Sequence, residues 1–224
     1  MLNYDLFAEQ YDAMVKNGGP RKAHQFIIEQ LQRETDLAGK NVCDLGCGQG
    51  ELAHRLSLLG AIVTGVDFSQ KLLSFARTLT DQVQWVHDDA MTLSSIRDER
   101  FDVVVSSLML MDVPDHMAVF RQSYRILKPG GMMIWLVMHP CFQSPYSHPL
   151  EDGSRRVYQY APQFWKSHGN GTLRSTLGAY HRPISHYVND FMEAGFSLKR
   201  LLEPECETAF QSVIHHFGAL GYKK

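Results

Sequence analysis

The sequence predicts an α/β fold built on a doubly wound, mostly parallel sheet. From about residue 41, short apolar runs alternate with segments that repeat apolar residues at helical spacing. The runs are continuously apolar rather than alternating, which is typical of parallel strands that are buried on both faces. Strand–helix–strand repetition of this kind favours right-handed crossovers within one sheet. The length of 224 residues fits a single domain with a substantial core.

Seven apolar runs are predicted as strands, and four periodic segments between them are predicted as helices. The strands are Val42–Leu45, Ala61–Val66, Val83–His87, Phe101–Ser106, Met132–Met138, Phe196–Leu202 and Ser212–Leu220. The helices are Leu52–Leu59, Gln70–Leu79, His116–Leu127 and Ile184–Ala194. The turn Lys128-Pro129-Gly130-Gly131 is expected to end the third helix before the fifth strand begins, because proline and glycine interrupt helices.

Two regions depart from this alternation. Residues 1–37 contain helical segments before the first strand, with Phe26, Ile27 and Leu31 on one apolar face. Residues 139–183 have no clear periodicity and are rich in proline, glycine, histidine and aromatic residues. A stretch of this length inside a compact domain is usually a lid or a binding loop, and its aromatic content argues against disorder.

Composition and charge exclude several functional classes. The chain is 44% hydrophobic and 21% charged, with a formal net charge of -2, so no basic surface for nucleic acid is expected. No apolar run is long enough to span a bilayer, and no signal peptide is apparent at the start. Without any C-x-x-C pair, Cys43, Cys47, Cys141 and Cys206 predict neither a metal site nor a redox motif. Free thiols favour a cytoplasmic protein, which we expect to be a monomer or a homodimer.

A glycine-rich loop follows the first predicted strand and precedes a helix. The spacing Gly46-x-Gly48-x-Gly50 lets a ligand approach the backbone at a helix N-terminus, although a turn that needs positive φ would also explain it. The dinucleotide fingerprint requires a further glycine where this chain has Glu51, which disfavours a nicotinamide oxidoreductase. Asp44 lies inside the motif and suits a cationic ligand better than a phosphate.

Acidic residues also end the next two predicted strands. Asp67 lies about twenty residues beyond the glycine loop, where an acid can bind both hydroxyls of a ribose. The alternative is that it caps the following helix, a role that Ser69 could fill alone. In Asp88-Asp89-Ala90 an acid can accept a hydrogen bond from an adenine amino group, or it can be a solvated strand end.

Five segments in this order resemble class I S-adenosylmethionine-dependent methyltransferases. They are Val42–Gly50, Thr64–Ser69, His87–Ala90, Phe101–Ser107 and Leu127–Gly131. The resemblance covers about residues 38–138 and extends loosely to Phe7–Asp12 and Glu193–Phe196. It implies a Rossmann-like sheet of seven strands with the last one antiparallel, for which Val213–Leu220 is the candidate.

The resemblance also implies which residues hold S-adenosylmethionine and its product S-adenosylhomocysteine. Asp44 would lie near the ammonium, Asp67 would hold the ribose, and Phe68 would cover the adenine. Tyr11 is expected to close the pocket from the N-terminal helix. The full predicted set is Tyr11, Asp44, Gly46, Cys47, Gly48, Asp67, Phe68, Asp89, Ala90, Ser106 and Ser107.

Methyl transfer from a sulfonium is an in-line displacement that mainly requires an aligned and desolvated acceptor. An acceptor of high pKa also needs a base, and histidine is the usual choice. His139 directly follows the fifth predicted strand and His181 precedes the last helix, so both are candidates for the base or for acceptor binding. Each could instead be structural or solvated, as most histidines are.

Some acceptor classes can be disfavoured. Enzymes that methylate DNA amino groups resemble one another in an Asn/Asp-Pro-Pro-aromatic motif after the fourth strand, where this chain has Ser106-Ser107-Leu108-Met109. Metal-dependent catechol enzymes carry acids there instead. Pro140-Cys141 resembles the cysteine of cytosine-methylating RNA enzymes, but the second Pro-Cys of those enzymes is missing. We therefore expect Cys141 to be a buried or lid thiol.

The sequence thus predicts one domain of residues 1–224 that transfers a methyl group from S-adenosylmethionine to an O, N or C atom of a small molecule. Its parts are a helical cap (1–37), a cofactor-binding core (38–138), an aromatic acceptor lid (139–183) and a C-terminal helix with two strands (184–224). Two alternatives remain open: other chemistry with the same cofactor, and a module that binds the cofactor without turnover.

Overall fold

The computed structural model describes residues 2–143, 146–168, 173–204 and 213–224. Eleven strands occur in these ranges, seven of them in one central sheet. In chain order they are β1 (Asn41–Leu45), β2 (Ile62–Asp67), β3 (Gln84–His87), β4 (Phe101–Ser107), β5 (Leu127–Met138), β6 (Ser147–Pro149), β7 (Arg155–Val157), β8 (Gln163–Trp165), β9 (Ala179–His181), β10 (Phe196–Leu202) and β11 (His216–Lys223).

The central sheet has the strand order β10-β11-β5-β4-β1-β2-β3. Strands β1 to β5 pair in parallel, and β11 runs antiparallel between β5 and β10. This is the predicted seven-stranded, mostly parallel sheet with its last strand antiparallel, so the predicted fold class is confirmed. The chain order reverses between β1 and β4, and ligands of open α/β sheets bind outside the carboxyl ends of the strands at such a point.

Seven α-helices in the described ranges surround the sheet. They are α1 (Ala8–Lys16), α2 (Arg21–Glu34), α3 (Glu51–Leu58), α4 (Gln70–Leu79), α5 (His116–Ile126), α6 (Leu173–Thr176) and α7 (Ile184–Glu193). Short 3₁₀ turns occupy Tyr4–Phe7 and Leu110–Asp112. None of the helices in the described ranges is both long enough and apolar enough to cross a membrane.

Both faces of the sheet are buried, as the continuous apolar runs predicted. On one face, Val104 packs with residues of α5 and α7, including Phe120 and Phe191. On the other face, Val103 packs with residues of α2 and α3, such as Ile27. Neighbouring residues of β4 therefore enter different clusters, and the strand shows no polar alternation.

Three local predictions need correction. The turn predicted at Lys128–Gly131 lies within β5, because Leu127 already has extended backbone and pairs with Phe101 before the register shifts. The last strand begins at His216 rather than at Ser212, which lies outside the described residues. Residues 139–183, for which no strand or helix was predicted, contain two short antiparallel pairs, β6 with β7 and β8 with β9.

Candidate active site

One cavity of about 430 Å³ lies at the carboxyl ends of the strands, where the sequence places the cofactor. Its wall includes the N-terminal turn, the glycine loop, the loop after β4, the end of β5 and described residues between His139 and Arg182. Most of the predicted site residues meet there. Those that line the cavity are Tyr11, Gly46, Gly48, Asp67, Phe68, Ala90, Ser107, His139 and His181.

The loop between β1 and α3 requires its glycines for two reasons. Gly46, Gly48 and Gly50 all have positive φ, at 72°, 56° and 90°. A Cβ on Gly46 would lie 2.4 Å from Cγ of Met109, and one on Gly48 would lie 3.2 Å from the ring of Tyr11. Glycine is therefore needed both for the backbone conformation and for the close approach of the neighbouring side chains.

Asp44 is a buried carboxylate that lacks a full set of partners. Its Oδ2 has no hydrogen-bond partner among the described residues. Burial, reinforced by the negative charge of Asp67, raises the pKa of the Asp44 carboxyl to about 7. A small polar recess shared with Cys47 and Tyr11 opens beside it. A buried acceptor oxygen without a donor is costly, so this position fits a cationic or donating ligand group such as the cofactor ammonium.

Asp67 joins the end of β2 to the glycine loop. Its Oδ2 accepts a hydrogen bond from the Gly48 amide at 2.8 Å, and its Oδ1 accepts one from the Ser69 amide at 2.8 Å. Ser69 itself caps α4 by accepting from the Leu72 amide at 3.1 Å. The capping role considered for Asp67 thus belongs to Ser69. The Asp67 carboxyl lies on the cavity wall, and burial raises its pKa.

The predicted adenine region is only partly assembled as expected. Phe68 is 50% exposed at the cavity, which leaves its ring free to cover a flat ligand. Asp88 rather than Asp89 lines the wall, and its carboxylate accepts from the Ser95 amide and hydroxyl at 2.8 and 2.5 Å. Asp89 instead accepts from the Met91 amide at 2.8 Å, which stabilises the turn after β3.

Two further predicted residues, Ser106 and Cys47, do not line the main cavity. Ser106 is fully buried within β4, whereas its neighbour Ser107 lines both the cavity and the recess near Asp44. Cys47 lines the recess, where burial raises the pKa of its thiol well above the usual value. The cysteine thiol is therefore held in the neutral form.

His139 is held by bonds to both ring nitrogens. Its Nδ1 accepts a hydrogen bond from the Cys141 amide at 3.1 Å, and its Nε2 lies 3.2 Å from a carboxylate oxygen of Glu203. The ring also stacks on Phe142, with 4.5 Å between centroids. Because the Nδ1 lone pair is already engaged, the arrangement suits an ordering role better than proton abstraction.

His181 keeps one ring nitrogen available. Its Nε2 lies 3.3 Å from the carbonyl oxygen of Tyr160 and must donate there, which leaves the lone pair on Nδ1. No hydrogen bond to Nδ1 is formed by any residue in the described ranges. Burial lowers the pKa of His181, so the ring remains neutral and able to accept a proton.

Sequence reasoning missed a polar cluster at the same cavity. Asp112, five residues after β4, accepts a hydrogen bond from the Tyr4 hydroxyl at 2.5 Å and pairs with Arg174 of α6. Arg182 is buried and donates to carbonyls of the loop Leu110–Pro114. This cluster could not be recognised in the sequence, because the residues that bond to one another are 62 to 108 positions apart and form no motif.

Comparisons with known proteins agree with this architecture. The methyltransferase domain family matches residues 43–135. A ubiquinone biosynthesis O-methyltransferase of Pseudomonas putida is 31% identical over 170 residues, which cover 74% of this chain and 72% of that protein.

Solved structures give the same result. A structure from Listeria monocytogenes, described as an S-adenosylmethionine-dependent methyltransferase, is 26% identical with a TM-score of 0.72 and covers 85% of this chain and 93% of its own. A Mesorhizobium loti protein with the same description is 24% identical, has a TM-score of 0.73 and covers 84% of this chain and 93% of its own, and shares the fold.

Proposed function

The chain belongs to the S-adenosylmethionine-dependent methyltransferases, and on that premise we propose that it methylates a hydroxyl group of an aromatic small molecule. The comparisons confirm the family, the enzyme class and the methyl donor that the sequence predicts. The proposal adds the acceptor atom and the acceptor class. The observation that carries it is the free Nδ1 of His181 at an aromatic cavity.

The proposed cofactor positions follow from the polar groups along the glycine loop. Asp44 would receive the ammonium at its unpartnered oxygen, and Asp67 would receive the ribose at the end of β2. Phe68 would cover the adenine. When bound, S-adenosylmethionine supplies a methyl group that is already activated on a sulfonium. The chain therefore needs to position the acceptor, exclude water and remove a proton.

The acceptor half of the cavity has apolar and aromatic side chains beside its charged ones, and part of its wall comes from the lid. Met111 and Met138 lie on its sheet side, while Trp165 and Tyr180 come from β8 and β9. Flat, polarisable walls of this kind suit an aromatic ring. We propose that residues 139–183 form the acceptor lid of a single domain, and that His181 at the end of β9 presents its Nδ1 to the acceptor hydroxyl.

Oxygen is the favoured acceptor atom for two reasons. A phenolic hydroxyl loses a proton on methylation and benefits from a neutral base, which His181 provides. The Pseudomonas putida relative is named as an O-methyltransferase of ubiquinone biosynthesis, which is consistent with oxygen as the acceptor atom. We place the reaction in the cytoplasm because Cys43, Cys47 and Cys141 are free thiols.

The test is product analysis with an isotopically labelled methyl donor. The protein is incubated with phenols, and with aniline and indole analogues of matched shape, and the methyl carbon is identified by NMR. We expect methoxy products and S-adenosylhomocysteine from the phenols. N-methyl or C-methyl products in place of methoxy products would overturn the assignment of oxygen.

The His181→Asn variant tests the base. We expect kcat to fall by about 10²–10⁴-fold while cofactor affinity stays unchanged, because positioned general bases contribute rate factors of that size. His168→Asn, an exposed change in the same lid, serves as the matched control and should retain activity. Equal kcat values for the two variants would contradict the assignment of His181.

A further inference from the structure

The guanidinium of Arg174 is fixed on the cavity wall by one of its nitrogens. Its Nη1 pairs with Oδ1 of Asp112 and also donates to the Gly178 carbonyl at 3.0 Å. These two bonds use both hydrogens of Nη1. The remaining donors, on Nε and Nη2, make no hydrogen bond to any residue that the structure describes.

The surroundings of Arg174 make this open edge suitable for an anion. Both oxygens of Asp112 are already engaged, by Arg174 and by the Tyr4 hydroxyl. Nearby Arg182 is 7% exposed and bonds to the backbone carbonyls of Leu110, Val113 and Pro114. No carboxylate of the described ranges lies within ion-pair distance of Arg182.

The acceptor side therefore carries an excess of positive charge. Among the described residues lining that side, Arg174 and Arg182 are cationic and Asp112 is anionic. Burial lowers the pKa of the lining residues His139 and His181, so they add no positive charge near neutral pH. A buried positive charge that is not fully compensated destabilises the protein unless an anionic ligand pairs with it.

We propose that Arg174 binds a carboxylate through its Nε and Nη2 edge. A guanidinium held at one nitrogen presents two parallel N–H groups that match the two oxygens of a carboxylate. The carboxylate could belong to the aromatic acceptor or to the methionyl part of the cofactor, since both groups must enter the same cavity. In the first case the inference deepens the proposed function and rests on it, because the acceptor would be an aromatic acid.

Binding measurements test the carboxylate site without requiring turnover. Benzoate and the isosteric, uncharged benzamide are titrated by calorimetry into the protein saturated with S-adenosylhomocysteine. S-adenosylhomocysteine and methylthioadenosine, which lacks the amino-acid portion, are titrated into the free protein. The variants are Arg174→Lys and Arg174→Gln, with Arg121→Lys on the exposed face of α5 as the matched control.

Arg174→Lys retains a cation beside Asp112 but loses the paired Nε and Nη2 donors. The variant therefore separates an effect on ligand binding from an effect on folding. We expect it to weaken benzoate binding by about 10- to 100-fold and leave benzamide unchanged, as the loss of charge-assisted hydrogen bonds predicts. If the carboxylate is the cofactor's, the same loss appears for S-adenosylhomocysteine and is absent for methylthioadenosine. The Arg121→Lys control should match the unmodified protein in every titration.

The proposal is overturned if neither Arg174 variant changes the affinity for benzoate or for S-adenosylhomocysteine. It is also overturned if benzamide and methylthioadenosine lose as much affinity as their carboxylate counterparts, because the effect would then be structural. These outcomes are independent of methyl transfer. A failure to methylate phenols would contradict the proposed acceptor atom and leave the carboxylate test intact.

Discussion

Asp44 illustrates how a single residue of the site can lower the stability of the cofactor-free protein. Its carboxyl is 1% exposed and has one oxygen without a partner among the described residues. Burial raises its pKa from the ordinary 3.8 to about 7. Between these two values the unfolded chain ionises this group while the folded chain keeps it protonated. Stability therefore falls as pH rises through that window and stays low above it.

We predict that Asp44→Asn stabilises the cofactor-free protein and weakens cofactor binding. At about pH 8 the free energy of unfolding of the variant should be higher by about 1–3 kcal/mol, because the penalty of a buried charge is removed. Its affinity for S-adenosylhomocysteine should fall, and the rise in affinity that the unmodified protein shows between about pH 6 and about pH 8 should disappear. Denaturant unfolding and calorimetry measure the two effects.

Asp81→Asn, a change to an exposed acid, provides the control and should alter neither quantity. A cofactor affinity of Asp44→Asn equal to that of the unmodified protein would show that the ammonium does not lie at Asp44.

The loop between β1 and α3 shows how an element was predictable from its sequence. The motif predicted glycines at a turn of positive φ or at a point where a ligand approaches the backbone. The structure has the positive φ at Gly46, and the side chain of Met109 lies close to that position. The bounds of the other central strands were predictable to within one residue, because burial on both faces leaves a continuous apolar run, whereas β5 and β11 begin five and four residues away from their predicted starts. The lid was not predictable in the same way, since β6 to β9 are three residues each and too short to show a period.

At this scale we predict that Gly46→Ala destabilises the protein by about 2–4 kcal/mol, from backbone strain together with overlap with Met109. Gly130→Ala is the matched control, because Gly130 has nearly the same φ of 74° and no atom lies within 4 Å of the position that its Cβ would occupy. Its cost should be only about 1–2 kcal/mol, the strain alone. Chemical denaturation measures both, and equal losses would show that contact with Met109 is unimportant.

At the scale of the whole molecule, the Tyr4–Asp112–Arg174 cluster joins three parts of the chain around the cavity. Tyr4 belongs to the N-terminal cap, Asp112 follows the central strand β4, and Arg174 belongs to the lid. Tyr4 also packs edge-on against Tyr11, whose ring approaches Gly48. These contacts could not be inferred from the sequence because the partners are distant in the chain and none forms a motif. These contacts join the first residues of the chain, the loop after β4 and α6 at one point of the cavity wall.

We predict that Tyr4→Phe loosens the cap and the lid together. Removal of the hydroxyl leaves Oδ2 of Asp112 without its donor, at a cost of about 1–3 kcal/mol for a buried group. The dissociation rate of S-adenosylhomocysteine should rise by about tenfold, and hydrogen exchange should speed up in both α1 and β9. Tyr124→Phe is the control, because the Tyr124 hydroxyl makes no hydrogen bond to the described residues. Faster exchange confined to α1 would mean that Asp112 does not connect the cap to the lid.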